Sequence, residues 1–174
     1  NDYKNLWDVA NLLLQKTPSD NFTATMKLTF TPNPKNKGER TGLVVMGRDY
    51  AGIILENTDK GLVLSQVECK KADKGKPEQA NASVDLSQNT VYLKVRFSYD
   101  GKKIKGSEGG HDLIVMCNFS YSLDGKKYQP LGNPFQAREG QWIGTKVGMF
   151  CTRPAIVTND GGWADVDWFR ITKK

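Results

Sequence analysis

Phe22, Ala24, Met26, Leu28 and Phe30 alternate with Thr23, Thr25, Lys27 and Thr29 without a break. A period of two puts every apolar side chain on one face of an extended chain and every polar one on the other. Such a segment is a half-buried strand, and its apolar face requires a second layer over it. The pattern returns at Val91, Leu93, Val95, Phe97 and Tyr99, interleaved with Tyr92, Lys94, Arg96 and Ser98. It returns again at Val115, Cys117, Phe119 and Tyr121. Near the C-terminus, Asp165 and Asp167 alternate with Ala164, Val166 and Trp168, giving one acidic and one apolar face, with Trp168 assigned to the core. Phe169 and Ile171 then fall where the acids' face was, and a bulge near Trp168-Phe169 accounts for the change.

Other strands are shorter. Gly42 to Gly47 and Gly52 to Leu55 are apolar on both faces and read as central strands, with Asp49 to Gly52 turning between them. Asn57 to Gly61 is a turn before a strand at Leu62 to Glu68, and Val147 to Cys151 is a short apolar strand. Asp100-Gly101 and Asp124-Gly125 are turn dipeptides. Lys70 to Asn81 and Lys102 to Gly110 are polar and read as mobile loops. Leu6, Val9, Ala10, Leu13 and Leu14 fit helical spacing, while Asn11 to Lys16 fits an entering strand; the reading adopted is a helical turn at Leu6 to Val9 followed by a strand. Many short strands divided by Gly, Asn and Asp turns predict an all-β protein, a two-sheet antiparallel β-sandwich. Residues 1–10 read as an arm or linker and 11–174 as the sandwich, which is long enough for one core.

Charge and cysteine content narrow the function classes. The net charge is +6, but the lysines cluster at turns (Lys70-Lys71, Lys102-Lys103, Lys126-Lys127) and lack interleaved aromatics, which argues against nucleic acid. The chain has no apolar run of 18 residues, so no membrane-crossing helix is expected. Asn1 is not a natural start, which points to a processed or excised piece. Three Cys with one His and no CxxC pair argue against a zinc site. Cys117 and Cys151 read as free core thiols, although a disulfide between them stays open if their strands face each other. A single His and no Gly-x-Ser-x-Gly elbow leave nucleophilic catalysis unsupported.

Several segments, in order and spacing, carry a resemblance. They are Leu12-Leu13-Leu14-Gln15-Lys16, Phe22-Thr23-Ala24-Thr25, Gly42-Leu43 with the Tyr50 turn, Phe119-Ser120-Tyr121-Ser122-Leu123-Asp124-Gly125, Gly144-Thr145-Lys146-Val147-Gly148, and Ala164-Asp165-Val166-Asp167-Trp168-Phe169. From about Asn11 to the end, the chain resembles the C-terminal concanavalin A-like domain of family 43 glycoside hydrolases of the β-xylosidase and α-arabinofuranosidase type. The resemblance implies a jelly roll of the lectin/glucanase kind, an accessory domain and not a catalyst on its own. It implies a partner too: a catalytic five-bladed propeller in the same parent chain, whose carboxylates act as general acid and base on xylo- or arabino-oligosaccharides. The family usually has Phe and Tyr where Val166 and Trp168 stand. Gly140-Gln141-Trp142-Ile143-Gly144 stands where relatives often carry Phe-Thr-Gly, so Trp142 inherits the aromatic that reaches toward the catalytic pocket. Export to the periplasm or beyond is expected by association.

Asp165 and Asp167 lie about 7 Å apart along one strand face. Hydrolysis of a glycoside needs such a pair with one raised pKa, yet a closing strand of an accessory fold implies no pocket, and a structural role is expected. No cofactor is required; Ca²⁺ is the cation these hard oxygens would take, with Asp167 or Asp165 and a contribution from Asp8 or a backbone carbonyl of the first strand. Candidates for contact with sugar are Trp142, Trp163, Tyr50 and His111, with Arg48 and Arg153 as donors. An autonomous carbohydrate-binding module for xylan or arabinan is the alternative function, and a purely structural interaction domain the third.

Overall fold

A computed structural model describes residues 3–103, 113–140, 144–154 and 158–173. The strands are β1 (Leu12–Lys16), β2 (Phe22–Thr31), β3 (Arg40–Met46), β4 (Tyr50–Thr58), β5 (Gly61–Cys69), β6 (Gln79–Leu86), β7 (Thr90–Lys103), β8 (Leu113–Ser122), β9 (Gln129–Pro130), β10 (Phe135–Gln136), β11 (Lys146–Thr152) and β12 (Trp163–Lys173). A 3-10 turn, Leu6–Asp8, precedes them, and a second spans Ala72–Lys74.

Two antiparallel sheets form, as the alternation requires. The first runs β1-β11-β3-β4-β5-β6; the second runs β10-β8-β7-β2-β12, with β9 on β8. Phe22, Ala24, Met26, Leu28 and Phe30 are all buried, and they meet Leu43, Val45, Ile53 and Leu55 of the first sheet in the main core. Fully burying one such Leu or Phe side chain stabilises the fold by about 1.5–3 kcal/mol.

β3 and β4 are buried on both faces because a second cluster lies outside the first sheet. Val44, Met46, Tyr50, Ile54, Val67, Cys69 and Phe150 form it, and Leu6 and Ala72 close it. Asn5 fixes this cover: its side-chain amide donates to the carbonyls of Ala72 and Lys76 at 3.1 and 2.8 Å, and its Oδ1 caps the first 3-10 turn through the Trp7 amide at 2.8 Å. The residues read as an arm thus pack on the sandwich, with Leu6 only 1% exposed.

Four local readings are corrected. The turn between β3 and β4 is Gly47–Asp49, and Tyr50 opens β4, pointing into the second cluster. Lys70 to Asn81 is not wholly loop: Ala72 is buried and Gln79 starts the edge strand β6, whose polar composition disguised it. Asp100-Gly101 does not end a strand. β7 continues through it to Lys103, with Gly101 at φ 88° and the register shifting between Tyr99 and Lys103. Finally, the bulge in β12 lies between Val166 and Trp168, at Asp167. The extra residue turns Trp168 to the outer face, opposite Lys27, and returns Phe169 and Ile171 to the core. The three cysteines are free, with Cys117 buried and Cys151 half-buried.

Candidate functional site

The strand ends leave an open cleft of about 550 Å³ at one end of the sandwich. Its floor is Phe97 of β7, Val115 of β8 and Ala137. Phe97 is held by stacking on Phe22, ring centroids 4.2 Å apart. The rim is polar: Thr17, Ser19 and Asp20 from the β1–β2 connection, Glu139 after β10, and Gly144 and Thr145 before β11. Carboxylates and hydroxyls around a small apolar floor make a surface that can hydrogen-bond a polyhydroxylated ligand.

Both described flanks of the segment carrying Trp142 are pinned at this cleft. The Arg48 amide donates to the Glu139 carbonyl at 2.9 Å. Gly47 packs so closely that a Cβ there would stand 1.9 Å from the Arg138 carbonyl oxygen, so only glycine fits. On the other flank, Thr145 Oγ1 donates to the Arg138 carbonyl at 2.8 Å, and the Thr17 amide donates to the Thr145 carbonyl at 3.3 Å. Trp142 itself and His111 lie outside the described residues.

The remaining candidates are dispersed. Arg48 is exposed, and it serves the cleft through its backbone. Tyr50 is fully buried and cannot touch a sugar. Its hydroxyl donates to Glu78 Oε2 at 2.7 Å and accepts from the Leu6 amide at 3.1 Å. Burial, and then the Glu78 carboxylate, pushes its pKa far above the usual phenol value. Glu78 also meets the Arg40 guanidinium at 2.5 Å. Arg153 and Asp160 pair at 3.4 Å beside a smaller cavity of about 270 Å³ that includes Glu39 and Gly162.

Trp163 is 57% exposed on the outer face of the second sheet, where its Nε1 donates to Asp165 Oδ2 at 3.1 Å. Asp167 pairs there with Lys27. Asp8 sits with the 3-10 turn on the outer side of the first sheet, while Asp165 and Asp167 belong to β12 of the second. Among the described residues no group of three His, Cys, Asp or Glu side chains gathers at one point.

Two stacked antiparallel sheets around one core define a β-sandwich. The profile of the β-xylosidase C-terminal concanavalin A-like domain of glycoside hydrolase family 43 matches residues 2–172, and the chain belongs to that family. The fold is similar to part of a bifunctional GH43-CE protein of Bacteroides eggerthii, with TM-score 0.79 and 22% identity over 100% of this chain and 20% of that one. It is also similar to part of the GH43 BlXynB protein of Bacillus licheniformis, with TM-score 0.72 and 21% identity over 99% of this chain and 32% of that one. Xylan β-1,4-xylosidase of Bacillus halodurans C-125 shares the fold at TM-score 0.69 and 20% identity over 94% of this chain and 29% of that one. The chain therefore spans a fifth to a third of these proteins. No curated protein matches it.

The anchor formed by Gly47 and the Arg48 amide was missed in the sequence. A glycine closing an apolar run was its only signal.

Proposed function

We propose that this chain is the accessory C-terminal sandwich of a β-xylosidase- or α-arabinofuranosidase-type hydrolase, packed on a catalytic five-bladed propeller and walling one side of its substrate pocket. The observation that carries the reading is the match over residues 2–172 to a domain that forms only part of longer relatives. The packing side is the edge of β1, where Leu13 is 72% exposed, together with the cleft at the end of that strand. Trp142 belongs to a segment whose two flanks are tied to each other and to the β3–β4 turn, which suits a side chain that must hold its position. Its indole would shield the pocket from water and limit its length, favouring short xylo- or arabino-oligosaccharides. The chain contributes no cofactor and no reacting carboxylate in this reading, and it works in the periplasm or outside the cell.

Trp142→Ala in the full hydrolase tests this. With folding unchanged, kcat/KM on short oligosaccharides should fall by about tenfold, worth roughly 1.4 kcal/mol of transition-state stabilisation. Unchanged kinetics would contradict the wall.

A further inference from the structure

Three strands of the second sheet place a row of side chains on its outer face: Trp168, Lys27 and Tyr92 are direct neighbours across β12, β2 and β7. The two rings approach to 6.1 Å above Lys27, whose ammonium is taken by Asp167. The neighbouring row holds Arg170, Thr25, Lys94 and Ser120, and the one after it Thr172, Thr23, Arg96 and Asn118. Arg170 lies over the Trp168 ring at 4.3 Å, and Lys94 lies over the Tyr128 ring at 3.3 Å. Arg96 stands exposed beside them.

Several cations of the chain are held by carboxylates: Lys27, Arg40, Lys70 and Arg153 each meet one. Among the described residues Lys94, Arg96 and Arg170 form no ion pair. Two of them are instead backed by aromatic faces, which hold the cation in place and leave its N–H edge for an incoming anion. Lys94 and Arg96 are about 7 Å apart along β7, and Arg170 is about 10 Å across from Lys94. Thr23, Thr25, Ser120 and Asn118 surround them with groups that pair with hydroxyls. The geometry points to a docking face for a uronate-bearing polysaccharide, its carboxylates taken by Arg170, Lys94 and Arg96 and its hydroxyls by Thr23, Thr25, Ser120 and Asn118 between them. Charge complementarity selects an acidic chain. The interleaved hydroxyl and amide groups select a glycan over an acidic protein. This face is separate from the cleft, and the inference does not depend on the wall reading.

The test is calorimetric titration of this chain with glucuronoxylan and with the same polymer after its carboxyl groups have been reduced to alcohols, at low and at physiological salt. The acidic form should bind at least about tenfold more tightly. Arg170→Gln and Lys94→Gln, checked for an unchanged melting temperature, should each weaken binding by roughly threefold to tenfold, as loss of one charge-assisted contact does. Trp142→Ala should leave this binding intact, which separates it from the pocket wall. Equal affinity for the reduced polymer, or variants that bind as well as the parent, would overturn the proposal. So would no binding at low salt, or equal binding to heparin and single-stranded DNA, which would mark a generic polyanion surface.

Discussion

The two sheets turn contrasting outer faces away from their shared core. The outer face of the first is largely apolar and covered: Leu6, the second 3-10 turn and the part-buried Tyr50–Glu78–Arg40 network lie over it. The outer face of the second is open: Trp163 and Trp168 share it with Lys27, Lys94, Arg96 and Arg170. A sheet flanked on both sides by apolar layers gains stability from each. A sheet flanked on one side by solvent keeps a surface that can be used for contact. The first face therefore carries folding energy, and the second carries chemistry that folding does not need.

This contrast orders the expected effects of substitution. Leu6→Ala should be the most damaging, about 3 kcal/mol from lost burial and the cavity left behind, or roughly 9 °C in Tm, read by thermal and urea unfolding. A loss below 1 kcal/mol would mean that the arm is not part of the cooperative unit. Glu78→Gln should cost about 2 kcal/mol, because it weakens the acceptor shared by Tyr50 and Arg40 under that cover; urea midpoints measure it. On the open face, Trp168→Ala should cost only about 1 kcal/mol, the worth of one ring pair and one ring–cation contact, while weakening acidic-glycan binding. A larger loss of stability there would erase the contrast.

The smallest effect concerns pH. Asp124 caps the β8 hairpin, accepting the amides of Lys127 and Lys126 and the Ser122 hydroxyl, which hold its pKa down to about 2. A folded pKa below the unfolded one gives stability that is present above the unfolded value, near 4, and lost as pH falls toward the folded value. Wild type and Asp124→Asn should therefore differ slightly in Tm at pH 5 and converge near pH 2. A constant gap across that range would assign the effect to shape and not to charge.

The core was legible because alternation is a property of consecutive residues. β2, β8, β11 and β12 fall within a residue or two of the strands expected, and the Leu6 turn and the strand after it formed as read. The jump of Phe169 and Ile171 to the acids' face revealed a bulge, but not its position. Placed one residue earlier than expected, it decides whether Trp168 is core or surface, and a Trp suits either. Tyr50 was misread for a different reason. A tyrosine beside Gly and Asp has the composition of a turn, and only the arm folding back from Leu6 makes its position interior. β6 hid in a polar stretch because an edge strand with exposed alternate positions needs few apolar residues. The cleft is assembled from five separate parts of the chain, so no local pattern announces it.

Hydroxyl-radical footprinting of this chain alone and within the full hydrolase tests the division of faces most directly. Leu13 and the peptides containing Thr17, Asp20 and Thr145 should become protected in the full protein, while Trp163 and Trp168 label equally in both. Protection of Trp163 and Trp168, with Leu13 still open, would make the aromatic face the interdomain contact and contradict the account.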